Sequence, residues 1–141
     1  MTRFAIDAAT AVMLARENVT VPVQHQLVAP TLLRSDVLSM LYREVHRGEL
    51  DPREGKALLD RVTTTRMRLL GDRVSRATAW RIAEQLGWED TTRAEYVAVA
   101  ALQADFFVTA DDELAAAVAG MVALAPFDAL SGPGGGGASS P

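Results

Sequence analysis

Four aspartates, Asp7, Asp36, Asp90 and Asp111, carry the chemistry this sequence offers. Asp7 ends the short apolar segment that begins Arg3-Phe4-Ala5-Ile6, and Asp111 closely follows Phe106-Phe107-Val108-Thr109. If both segments are strands of one parallel sheet, their carboxylates gather at its carboxyl edge, where open α/β sheets bind ligands. Like charges held close repel and raise one another's pKa unless a cation lies between them. Mg²⁺ and Mn²⁺ take oxygen donors, often one or two carboxylates with water completing the shell. A divalent-metal site is therefore expected; for any single acid the competing expectation is a helix cap or a solvated loop residue. Asp36 falls at the edge of an apolar stripe formed by Leu33, Val37 and Met40, where an ionised group needs a partner. That partner is either a metal or a nearby guanidinium, Arg34 or Arg43. Asp90 precedes a helix start at Thr92, a place the helix dipole favours for any acid.

The elements that must position these acids follow from apolar spacing and punctuation. Arg3–Asp7, Leu27–Ala29, Met67–Leu70 and Phe106–Thr109 read as short buried strands, with a further one expected at Met121–Leu124. Helices are expected over Ala8–Glu17, from Thr31 to His46, from Pro52 to about Thr63, from Ser75 to Gly87, from Thr92 through Tyr96-Val97-Ala98-Val99-Ala100, and over Glu113–Ala119. Asp51 with Glu54, and Thr92 with Glu95, have capping-box spacing, and Ser75 is placed as a cap. Strands alternating with helices predict a three-layer α/β/α sandwich around a mainly parallel sheet. The domain is expected over residues 1–130, with 131–141, built only from Ser, Gly, Pro and Ala, as a flexible tail.

Composition narrows the function. The 141 residues are 49% hydrophobic and 23% charged, enough to build a core. The absence of cysteine excludes a disulfide scaffold, a zinc–thiolate site and a thiol nucleophile. The longest apolar run, Ala115–Phe127, has 13 residues and holds Gly120 and Pro126, short of the roughly 20 a membrane span needs. With no cleavable signal pattern at the start, a cytoplasmic protein without membrane contact is expected. The net charge of −4 is unlike that of a simple nucleic-acid coat protein.

Four segments in order resemble the PIN-domain nucleases, and within them the VapC-like toxins of toxin–antitoxin pairs. They are Phe4-Ala5-Ile6-Asp7-Ala8, Ala29 through Leu38, Asp90 through Ala100, and Leu102 through Asp111; the similarity spans residues 3–125. The resemblance implies an endoribonuclease that holds Mg²⁺ or Mn²⁺ among three or four acids and activates water to cut RNA. Matched by motif, Asp7 is the first acid and Asp36 the second, where the family usually has glutamate. Asp111 is the last acid, with Asp112 beside it. The third position, where the commonest pattern has aspartate, is Arg93 here, with Asp90 and Glu95 the nearest acids. Either Asp90 reaches the same metal from the preceding turn, or the Arg93 guanidinium pairs with Asp7 or Asp111. In the second case the fold retains little nuclease activity. The resemblance further implies a homodimer and an antitoxin whose arginine-rich tail enters the acidic pocket.

Arg66, Arg68, Arg73, Arg76 and Arg81 form a local basic stripe within 16 residues, a place for an RNA backbone or ordinary surface charge. Thr10 and Thr109 are placed to bond a carboxylate or to serve local turns. Trp80 and Trp88 are expected in the core or at a dimer contact. His25 and His46 lack the spacing of ligands. Two rival readings stand beside the nuclease. A phosphoacceptor receiver domain needs a lysine after a late strand, but the one lysine, Lys56, lies in a predicted helix. A non-catalytic PIN-like binding module for RNA or an antitoxin-like partner is favoured by Arg93.

Overall fold

A computed structural model describes residues 1–132; residues 133–141 of the expected tail lie outside the described residues. The strands are β1 (Thr2–Ile6), β2 (His25–Pro30), β3 (Arg68–Leu70) and β4 (Phe106–Val108). The helices are α1 (Ala8–Arg16), α2 (Leu33–His46), α3 (Pro52–Thr64), α4 (Arg73–Leu86), α5 (Thr92–Gln103) and α6 (Asp112–Val118), and a short 3₁₀ turn covers Phe127–Leu130. Every strand pair is parallel and the sheet order is β3-β2-β1-β4. β1 is thus central, aligned with β2 through Phe4 and Leu27 and with β4 through Phe4 and Phe106.

The sheet is the middle of a three-layer α/β/α sandwich. α1, α2 and α3 pack on one another, while α4 packs on α5 and α5 lies along β1 and β2. A sheet covered on both faces needs apolar residues at successive positions. Phe4, Ala5 and Ile6 supply them in β1, and Leu27, Val28 and Ala29 in β2. α5 is buried over the whole run Tyr96–Ala100, because it sits between the sheet and α4. Alternating Val and Ala there let it approach closely on both sides. α2, by contrast, buries only Leu33, Val37 and Leu41, so its outer face keeps Leu38 and Tyr42 exposed. No helix among the described residues is long and apolar enough to cross a membrane.

Several local expectations are corrected. The cap of α4 is Asp72, whose carboxylate accepts from the Ser75 amide; Ser75 itself lies inside the helix. Asp51 caps α3 by accepting from the Arg53 amide, with no return bond from Glu54. α5 starts at Thr92 behind Thr91, which gives no side-chain cap, so the Thr92–Glu95 capping box does not form. Met121–Leu124 is a single bridge, Leu124 against Phe107, rather than a strand: backbone bonds to Phe107 tie down only Ala123 and Ala125. Trp80 is 66% exposed, not core. Gly87 ends α4 as expected, in the left-handed conformation (φ 70°) that glycine adopts without penalty.

Candidate functional site

The carboxyl edge of the sheet is where the chain puts its best-organised acid. Asp7 leaves β1 in extended conformation and caps α1. One carboxylate oxygen, Oδ1, accepts from the Thr10 amide at 2.9 Å and the Thr10 hydroxyl at 2.6 Å. The other, Oδ2, accepts from the Thr109 hydroxyl at 2.6 Å. Both expected hydroxyl contacts are present. Thr10 also accounts for its own position, 3.1 Å from the Val108 carbonyl oxygen, which ties α1 to the end of β4. Asp7 is 9% exposed, so these bonds are what make its burial tolerable.

Thr109 links the first acid to the last. Its hydroxyl donates to Asp7 and accepts from the Asp111 amide at 3.1 Å. A single hydroxyl therefore separates the Asp7 carboxylate from the backbone of Asp111. Asp111 caps α6, with Oδ1 accepting from the Leu114 amide at 3.0 Å. Asp112 follows it, exposed, as the first residue of α6.

Asp36 enters from the first turn of α2. Its partner is neither Arg34 nor Arg43 but Tyr96, whose hydroxyl donates to Oδ2 at 2.7 Å. Burial, then the Asp36 hydrogen bond and the fields of Asp36, Asp7 and Glu95, push the Tyr96 hydroxyl far above its usual range. It stays a proton donor to Asp36. Tyr96 was missed as a site residue. The signal for it was a lone hydroxyl within the apolar run of α5, since buried tyrosines need a partner.

The third-acid position is otherwise arranged. The Arg93 guanidinium lies over the Trp88 ring, 4.4 Å from its centroid, and makes no ion pair with Asp7 or Asp111. Asp90 is exposed and accepts from the Thr92 amide at 3.1 Å, the service expected of an acid before a helix. Glu95 is half-buried and lines a hollow of about 10 Å³ with Arg76 and Gly71. A side chain at Gly71 would strike Thr31, so the loops after β2 and β3 touch here. The basic stripe is divided. Arg66 and Arg68 lie before and at the start of β3, at the amino edge, whereas Arg73 and Arg76 open α4 at the carboxyl edge.

The donors present suit a hard divalent cation. They are all carboxylate oxygens, and Oδ2 of Asp111 and Oδ1 of Asp36 accept no hydrogen bond among the described residues. No three or more acid or histidine side chains are gathered to enclose an ion among the described residues. The set fits a site of one or two carboxylates completed by water rather than an all-protein cage.

No protein-family model matches the chain, and no curated protein matches it. Four chains of solved structures do match. One is described as the crystal structure of PAE2754 from Pyrobaculum aerophilum, with a TM-score of 0.71 and 22% identity over 92% of each chain. This chain is similar to that one in fold across nearly its whole length.

Proposed function

We propose that this protein is a PIN-like, Mg²⁺- or Mn²⁺-dependent endoribonuclease acting at the carboxyl edge of its sheet. The observation that carries the reading is the pinning of Asp7 by Thr10 and Thr109, with Asp111 joined to it through the Thr109 hydroxyl. Asp7 and Asp111 would hold the cation. When bound, it supplies Lewis acidity that acidifies water and neutralises charge developing on the phosphate. Asp36 takes the proton of the attacking water at Oδ1, the oxygen that Tyr96 leaves free. Tyr96 holds that carboxylate in one orientation. Arg73 and Arg76, at the same edge, hold RNA phosphates that the acids would otherwise repel. Asp90, three residues before Arg93, would supplement the acids from its turn.

A specific observation favours a second reading, a PIN-like binding module with little cleavage. Arg93 puts a cation where an acid would complete the site, and Trp88 holds that cation in place. On either reading an antitoxin-like partner with an arginine-rich tail fits the acidic edge. Leu38 and Tyr42, exposed one turn apart on α2, support a homodimer. A cytoplasmic location belongs to the same proposal.

The deciding experiment is RNA cleavage with Mg²⁺ or Mn²⁺ by the wild type and Asp7→Asn, with EDTA as control. Cleavage abolished by both EDTA and the substitution is expected. A folded wild type that cuts none of several structured RNAs, yet binds them, would replace the nuclease with the binding module.

A further inference from the structure

The acids leave the opposite, amino edge of the sheet unexplained. There, where β1 and β2 begin, lies a cavity of about 620 Å³ beneath the connection from α1 to β2. Small-molecule sites run to roughly 300–1,000 Å³. The walls combine the apolar side chains of Leu14, Val21 and Met67 with Arg66, Arg68 and His25. Arg66 and Arg68 stand two residues apart, both exposed, and neither guanidinium has a carboxylate partner among the described residues.

His25 is 7% exposed, and Phe4 meets its ring edge-on with centroids 5.0 Å apart. Its Nε2 lies 2.9 Å from the Gly132 carbonyl oxygen. A carbonyl only accepts, so Nε2 donates to it. Nδ1 of the same ring is buried and has no hydrogen-bond partner among the described residues. Buried polar atoms in folded proteins are nearly always partnered, so this one stands out as unsatisfied beside the cavity.

We propose that the amino-edge cavity binds a small amphipathic organic anion. Its acidic group meets Arg66 and Arg68, and its apolar body lies along Leu14, Val21 and Met67 beside His25. Guanidinium groups take carboxylate, phosphate and sulfonate by the same two-pronged contact, and that shared chemistry defines the ligand class. The site is separate from the acids and does not depend on RNA cleavage.

Anilinonaphthalene sulfonate is a suitable probe for the full chain, since it joins a sulfonate and an aromatic body. Saturable fluorescence enhancement with one probe per chain is expected. Arg66→Glu with Arg68→Glu, both surface changes, weakens binding at least about tenfold at unchanged circular dichroism. The uncharged analogue phenylnaphthylamine binds more weakly by a similar factor. Nitrogen NMR of the two histidines localises the event: the His25 ring signals shift and those of His46 do not. Displacement by decanoate or decyl phosphate supports the site, and the stronger competitor identifies the acidic group. No saturable binding, equal binding by the double variant, an unmoved His25, or failure of both competitors would overturn it.

Discussion

The two edges of this sheet present opposite solutions to recognition. At the carboxyl edge the polar groups are tightly organised, with Asp7 held by three hydrogen bonds, and the hollow beside Glu95 and Arg76 measures about 10 Å³. At the amino edge the polar groups are loosely held, with two guanidiniums and an imidazole nitrogen unpaired among the described residues, around about 620 Å³. Fixed charge without concavity suits a polymer laid across a surface, where the chemistry needs position more than enclosure. Concavity with unsatisfied charge suits a small molecule that completes the site itself. A roomy cavity and the most ordered acids of one domain need not coincide.

The sharpest way to break this comparison is Asp7→Asn. It keeps the cap on α1 but removes the charge, and cleavage should fall at least about a hundredfold, in line with losing one electrostatic group of a catalytic site. Stability should change much less, as measured by urea unfolding. Cleavage that survives the substitution would detach the ordered acids from function.

Tyr96→Phe tests whether order at the carboxyl edge extends to Asp36. It leaves a half-buried carboxylate without its donor and should cost about 1–2 kcal/mol of stability. It should also lower the cleavage rate at unchanged RNA affinity. The pH dependence carries a sign. The folded phenol is raised above its ordinary value of 10.0, so the unfolded chain ionises first and stability falls as pH rises past about 10. Tyr96→Phe should remove that decline, which alkaline unfolding curves will show.

Arg93→Asp tests the vacated third position. Breaking the stack on Trp88 costs about 0.5–1 kcal/mol, while cleavage with Mn²⁺ should rise about tenfold if a third acid strengthens the cation's hold. Unchanged cleavage would place Arg93 outside the site. The smallest effect belongs to Asp72. Its hydrogen bonds with Ser75 hold its carboxyl below the usual 3.8, so its contribution is present above that value and is lost as pH falls through the lower folded one. Asp72→Asn keeps the cap and should flatten the acid limb of the stability curve.

Much of the carboxyl edge was legible because strands and caps are local. Apolar runs followed by acids located Asp7 and Asp111 just past β1 and β4, which pair with one another. What escaped depends on contacts between distant segments. Asp36 and Tyr96 are 60 residues apart, and periodicity pointed Asp36 only toward a metal or a neighbouring arginine. Arg93 found an indole five positions earlier, a turn geometry that composition does not encode. The arginine stripe looked continuous because β3, only three residues long, was enough to send its two halves to opposite edges. The amino-edge cavity left no motif, since it is assembled from a helix end, two connections and three strand starts.

The central place of β1 has a consequence for biosynthesis. Its second neighbour is β4, and the Asp7 to Thr109 bond spans 102 residues. A nascent chain emerging from the ribosome therefore exposes one edge of β1, and an unpinned Asp7, until nearly the whole domain has been translated. Such long-range pairing slows folding. It also leaves Asp7 without its Thr109 partner in prematurely terminated chains, because that bond cannot form before synthesis of the fold is all but finished.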